Sequence, residues 1–169
     1  MFVIRLFGGF LIFIVSTYCG FSAASRLRRR SEFLKAISDA LTYVISEIEF
    51  SHTELREIFS RADISGALAD FFKSCRDELA TSGIREAWEK TVHIKADELS
   101  LKECDKDALL QLGVQLGKSD INGQKKAIGR TVAMLDGYKK SAEEEYVRLS
   151  KPYRSCGILL GVFVLLIII

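Results

Sequence analysis

Leu34-Lys35-Ala36-Ile37-Ser38-Asp39-Ala40-Leu41-Thr42-Tyr43-Val44-Ile45-Ser46-Glu47-Ile48 is the stretch that decides the fold class of this chain. Leu34, Ile37, Leu41, Val44 and Ile48 step by three, four, three and four, so they stay on one face of a 3.6-residue helix. Arg28, Glu32, Lys35, Asp39, Thr42, Ser46 and Glu49 keep the same step on another face. Such an amphipathic helix buries its apolar stripe against helical neighbours. Upstream, and with no linker, lies an uncharged run, Leu6–Ser25, which stops at Arg26-Leu27-Arg28-Arg29-Arg30. One continuous helix is expected over both.

Leu6–Ser25 has the ~20 apolar residues that about 30 Å of hydrocarbon requires. A second uncharged run of fifteen residues, Ser155–Ile169, follows Lys151 and Arg154. It covers only about 22 Å at 1.5 Å per residue. Snorkelling of Arg154 and local thinning of the bilayer make it a short span. The alternative is a hydrophobic tail that enters one leaflet.

Orientation follows from the Lys/Arg bias of the short flanks. The first run has Arg5 before it and four arginines within five residues after it, and the second has Arg148, Lys151 and Arg154 on its upstream side. Both place the middle in the cytoplasm and the termini outside. A cleaved signal peptide is the rival reading, since Arg5, the apolar run and Ser22-Ala23-Ala24 imitate its three regions. The arginines directly after that cleavage point oppose it, because such clusters resist translocation. The expected organisation is a transmembrane helix over 1–25, a cytoplasmic helical bundle over 26–154 and a second transmembrane helix over 155–169.

The middle is long enough for one domain with its own core. Ser51-His52-Thr53-Glu54 matches a capping box and predicts a short helix to about Ala62. Ser65 and Gly66 start a third helix with Leu68, Phe71, Phe72 and Leu79 as core candidates. Thr81-Ser82-Gly83 breaks it, and Ile84–Val92 forms a fourth helix carrying Trp88, which is expected in the core. Ser100-Leu101-Lys102-Glu103 is a second capping box, opening a fifth helix that contains Leu109, Leu112 and Leu116 and closes at Gly117. Ser119 or Asp120 caps the sixth, from about Ile121 to Lys151, with Ile128, Val132, Leu135, Tyr138, Ala142, Tyr146 and Leu149 as its apolar stripe. The only proline, Pro152, is expected to kink the junction with the last span. The fold class is therefore all-α: about six helices between two transmembrane helices.

Charge is polarised along this plan. Arg26, Arg28, Arg29, Arg30, Arg148, Lys151 and Arg154 cluster beside the spans, whereas residues 31–147 hold 16 basic and 22 acidic residues. Basic residues at an anionic cytoplasmic leaflet contribute about 1 kcal/mol each, so these seven are membrane-surface candidates facing the lipid bilayer. Their other role is simply to stop transfer. A nucleic-acid partner, which needs a basic patch free in solvent, is not expected.

The chemistry-bearing residues do not converge. His52 and His93 have no triad-like partners in the pattern, and Glu143-Glu144-Glu145 point about 100° apart on a helix. Leu116-Gly117-Lys118-Ser119-Asp120 lacks the longer loop of a P-loop. Cys19 and Cys156 lie in the spans, while Cys75 and Cys104 have no close-spaced pair, as reduced cytoplasmic thiols would. No enzyme activity, metal or cofactor is expected.

Small residues mark the spans. Ser16, Gly20 and Ala24 form a ladder at spacing four, and Gly157 and Gly161 form a G-x-x-x-G pair. In lipid, such faces let helices approach closely. They predict that the two spans pack together, or that copies pair as a homo-oligomer; chance spacing is the bland alternative.

Further stretches carry a family resemblance. They are Glu47-Ile48 with Thr53 and Leu55, then Arg85-Glu86-Ala87-Trp88, then Leu112-Gly113. Leu116-Gly117-Lys118-Ser119-Asp120 with Gln124 follows, and then the tail Lys151-Pro152-Tyr153-Arg154-Ser155-Cys156-Gly157 with its apolar run. In order and over essentially the whole chain, this resembles the stage III sporulation protein AB family. Where family members tend to have proline around the Thr53–Leu55 turn, this chain has Glu54 and Arg56 flanking Leu55.

The resemblance implies a helical bundle similar to the cytoplasmic domains of type II secretion platform proteins. It implies a non-enzymatic platform component in the mother-cell membrane, within a channel apparatus linking mother cell and forespore. The implied partners are a secretion-ATPase-like sporulation protein and other membrane subunits of that assembly. Loops near Thr81–Gly83 and Gly117–Asn122, with Gly117, Ser119 and Asp120 as docking candidates, are expected to meet the partner. The alternative function is a membrane-bound sensor or regulator whose helical domain relays a signal across the bilayer.

Overall fold

A computed structural model describes residues 2–51, 66–115 and 121–168. The described residues form five helices and no strands: α1 (Phe2–Ser51), α2 (Ala67–Leu79), α3 (Ile84–Lys95), α4 (Glu103–Gln115) and α5 (Ile121–Ile168). The all-α fold, with two long helices flanking shorter ones, follows the sequence. Ser51, the first residue of the first capping box, is the last residue of α1; the rest of that box, the short helix expected to end near Ala62 and the Gly117, Ser119 and Asp120 caps lie outside the described residues.

The chain divides into two compact units, one of Met1–Arg28 with Ala142–Ile169 and one of Arg29–Ser141. In the first, α1 and α5 run antiparallel and carry most of the exposed large apolar side chains. Phe7, Phe10, Leu11 and Val15 on α1, and Leu159, Leu160, Phe163 and Leu166 on α5, are all exposed. By length and composition α1 and α5 each contain a window able to cross a membrane. α5 runs through Pro152 without interruption, so the last helix and the short C-terminal run form one element rather than two. Proline removes the amide that would bond the carbonyl four residues back and its ring crowds that carbonyl, a cost of about 3 kcal/mol that the helical turns on either side offset.

The second unit has an apolar interior drawn from every helix. Phe33, Leu34, Ile37, Leu41 and Val44 of α1 are buried, in phase with the stripe, while Arg28, Glu32, Lys35, Asp39 and Thr42 are exposed. α2 contributes Leu68, Phe71, Phe72, Cys75 and Leu79, α4 contributes Ala108, Leu109 and Leu112, and α5 contributes Ile128 and Leu135. Gly66 precedes α2 at φ 71, a left-handed conformation that glycine adopts without a Cβ penalty. Trp88 of α3 is fully buried at the centre, its ring 5.3 Å edge-on to Phe71, which lies 5.4 Å from Phe33.

The turn between α3 and α4 revises the second capping box. Ser100 has φ 58; its amide donates to the Asp97 carbonyl at 3.1 Å, and the Leu101 amide donates to the Ala96 carbonyl at 2.9 Å. These two bonds are a Schellman closure with Ser100 at its left-handed position. Ser100 thus ends one helix instead of starting the next. The reciprocal contact at the start of α4 lies two residues on, where the Lys102 amide donates to Asp105 Oδ2 at 2.9 Å.

Candidate membrane and interaction sites

The small residues of the two apolar segments meet. Ser16 Oγ donates to the Gly157 carbonyl at 2.8 Å. A Cβ placed on Gly20 would stand 2.6 Å from the Tyr153 carbonyl oxygen and 3.0 Å from Gly157 Cα. One on Gly157 would stand 2.9 Å from the Ser16 carbonyl oxygen, and one on Gly161 would stand 3.1 Å from Phe13 Cα. Backbone therefore touches backbone, an approach that any larger residue would prevent. Ala24 is fully buried in the same unit.

The seven basic candidates separate into three environments. Arg26, Arg28, Arg29, Arg148 and Lys151 are exposed. Arg154 is half-buried, its guanidinium 5.5 Å above the Phe21 ring, a cation–π geometry.

Arg30 does not belong to a membrane-facing set. It is 4% exposed and forms a two-pronged pair with the fully buried Asp105: Nε donates to Oδ2 at 2.6 Å and Nη2 to Oδ1 at 3.0 Å. The physical reason is phase. Arg30 lies four residues before Leu34, on the buried stripe of α1, so its charge must find a partner inside. Stepping that stripe back one position would have exposed it; nothing in the sequence pairs it with Asp105.

Asp105 serves two helices at once. Its carboxylate accepts from Arg30 and from the Lys102 amide at the α4 N-terminus, where a negative charge is favourable. Trp88 is tied to α4 in another way: its Nε1 donates to the Leu109 carbonyl at 2.7 Å. The indole rests on Gly113, where an added Cβ would lie 2.6 Å from Trp88 Cδ1. Between α1 and α5, Ser38 Oγ donates to Asp136 Oδ1 at 2.9 Å, and Lys139 Nζ donates to the same oxygen at 2.9 Å. These bonds hold the Asp136 carboxyl below the usual carboxylate range, Lys139 contributing most.

A groove of about 510 Å3 lies between α4 and α5. Gln111, Leu112 and Gln115 of α4 and Lys126, Arg130 and Met134 of α5 line it. Its charged lining is basic. Gly117, Ser119 and Asp120, the docking candidates, lie outside the described residues. His93 is exposed, and His52 is outside the described residues. Among the described residues no three His, Cys, Asp or Glu side chains are grouped to hold a metal ion.

Comparison with known proteins accords with this architecture. The family described as Stage III sporulation protein AB matches residues 5–169. The chain is similar to stage III sporulation protein AB of Bacillus subtilis (strain 168), 26% identical over 170 residues, covering 98% of this chain and 99% of the relative. A solved structure of stage III sporulation protein AB superposes with a TM-score of 0.59 at 26% identity, over 70% of this chain and 96% of that one. With two apolar helices and a helical core between them matched over nearly its whole length, this chain belongs to the stage III sporulation protein AB family of sporulation proteins.

Proposed function

We propose that this protein is a non-enzymatic platform of a secretion-like channel complex between mother cell and forespore, anchored in the mother-cell membrane. The observation that carries the reading is the approach of Gly20 to Gly157, which packs the apolar segments of the first and last helices against each other. Family membership supports the sporulation setting. The arginines after the first apolar run, and Arg148 and Lys151 before the second, support a cytoplasmic body under the positive-inside rule.

Its partners are a secretion-ATPase-like sporulation protein and other membrane subunits of the assembly. The docking surface includes the α4–α5 groove, whose Lys126 and Arg130 suit an acidic segment. Charge reversal of Lys126 and Arg130 should weaken recovery of the ATPase-like protein from sporulating membranes; undiminished recovery counts against the groove.

Topology is tested on Cys104, which is exposed, with Cys19 and Cys156 replaced by Ala. Cys75 is unsuited to this test, being 1% exposed with its thiol pushed up to about 11 by burial. A membrane-impermeant maleimide should modify Cys104 only after the cells are opened. Labelling in intact cells refutes the orientation.

A further inference from the structure

The first unit holds a second groove, of about 560 Å3, walled by Tyr18, Ser22, Arg26 and Leu27 of α1 and by Tyr153 of α5. We propose that it binds the headgroup of one anionic phospholipid bearing a single phosphate and free hydroxyls, as in phosphatidylglycerol. The inference rests on the reading that α1 crosses the membrane with Arg26 at the headgroup level.

Three features select this ligand. Among the groove's described lining residues Arg26 is the one charged side chain, and no carboxylate is present. One phosphate therefore finds one guanidinium, whereas the ammonium of a zwitterionic headgroup finds no counter-charge. Tyr18, Ser22 and Tyr153 bring three hydroxyls that can donate to or accept from glycerol hydroxyls.

The third feature distinguishes a lipid from a free anion. Val15 and Leu11 precede Ser22 by seven and eleven residues, spacings that return to the same helix face. They are 52% and 54% exposed, so an apolar column leads from the groove away from the arginines. Acyl chains lie along that column while the phosphate occupies the polar end. Tyrosines at this level suit the membrane–water boundary.

The test is native mass spectrometry of the full chain released from nanodiscs containing equal phosphatidylglycerol and phosphatidylethanolamine. One phosphatidylglycerol per chain should be retained in preference to phosphatidylethanolamine. Arg26→Gln should cut that retention about fivefold, while Arg29→Gln, an exposed arginine outside the groove, leaves it intact. Equal retention of the two lipids, or equal loss in both variants, overturns the proposal in favour of diffuse surface electrostatics. Displacement by excess inorganic phosphate reassigns the groove to a free anion and also overturns it. Carbonate extraction of the same protein separates the two readings: a chain washed off membranes defeats the span, whereas one that stays embedded but keeps no lipid defeats only the groove.

Discussion

Arg30 and Asp105, 75 residues apart in the chain, form a buried two-pronged ion pair that joins α1 to the first turn of α4. Inside a protein, losing one partner leaves an uncompensated charge, and this typically costs about 3–5 kcal/mol. Arg30→Met and Asp105→Leu are each expected to destabilise by that amount in urea titrations. The double variant should be far milder, because no charge remains buried. It still loses the Lys102 amide's acceptor, worth about 1 kcal/mol. A double variant as unstable as the sum of the singles would show that the pair does not act as a unit.

Gly113 exists where it does because Trp88 lies on it. Gly113→Ala should overpack the site and destabilise by about 1–3 kcal/mol, less the helix-propensity gain of up to about 1 kcal/mol. Trp88→Ala removes the central ring and its bond to Leu109, for an expected loss of about 3–5 kcal/mol. Chemical denaturation measures both. A more stable Gly113→Ala variant would mean that the indole can move aside freely.

The contact of Gly20 with Gly157 gives a prediction in the membrane. Gly157→Leu cannot be accommodated without separating the helices, since even a methyl would touch the Ser16 carbonyl oxygen. With Cys19, Cys104 and Cys156 replaced by Ala, Ile14→Cys and Leu160→Cys, both at exposed positions, should be bridged within one chain by a short bismaleimide, and adding Gly157→Leu should abolish this. Persistent crosslinking would show that the glycines do not set the distance. Ser16→Ala should cost about 0.6 kcal/mol, the usual value of an interhelical hydrogen bond in lipid.

Ser100 holds a left-handed conformation that favours glycine. Relief of the Cβ clash should make Ser100→Gly more stable by about 0.5–1 kcal/mol, although the freer unfolded chain offsets part of the gain. A thermal melt reads the sign.

Cys75 predicts an alkaline limit. The ordinary thiol value is 9.0, and burial pushes Cys75 up to about 11, against an opposing hydrogen bond with Thr91. The folded state keeps a proton that the unfolded chain releases near pH 9. Stability from this site is thus complete below pH 9 and falls as the pH rises towards 11. Comparing the pH dependence of unfolding in wild type and Cys75→Ala isolates the effect, which the variant should lack.

Much of the fold was legible because helices are local. The three-four step of Leu34, Ile37, Leu41 and Val44 needs no knowledge of any partner to declare a buried face. The breaks at Thr81-Ser82-Gly83 likewise act within a few residues of themselves. Ser100 was misread for an instructive reason: the same residue types serve at a helix start and in a turn, and only the following backbone bonds distinguish them. Pro152 was expected to kink the junction with the last apolar run, and the helix continues through it as one element.

By itself the sequence determined two long apolar-ended helices, the buried phase of the first, and which small residues could allow close approach. All of these depend on spacing along one chain, which a 3.6-residue period converts directly into a face. Only the tertiary structure decided that Gly20 touches Gly157, that Trp88 fills the gap left by Gly113, and that Arg30 leaves its arginine neighbours for Asp105. Those choices are made between segments distant in sequence, where shape and charge must match in space, and no periodicity records the match.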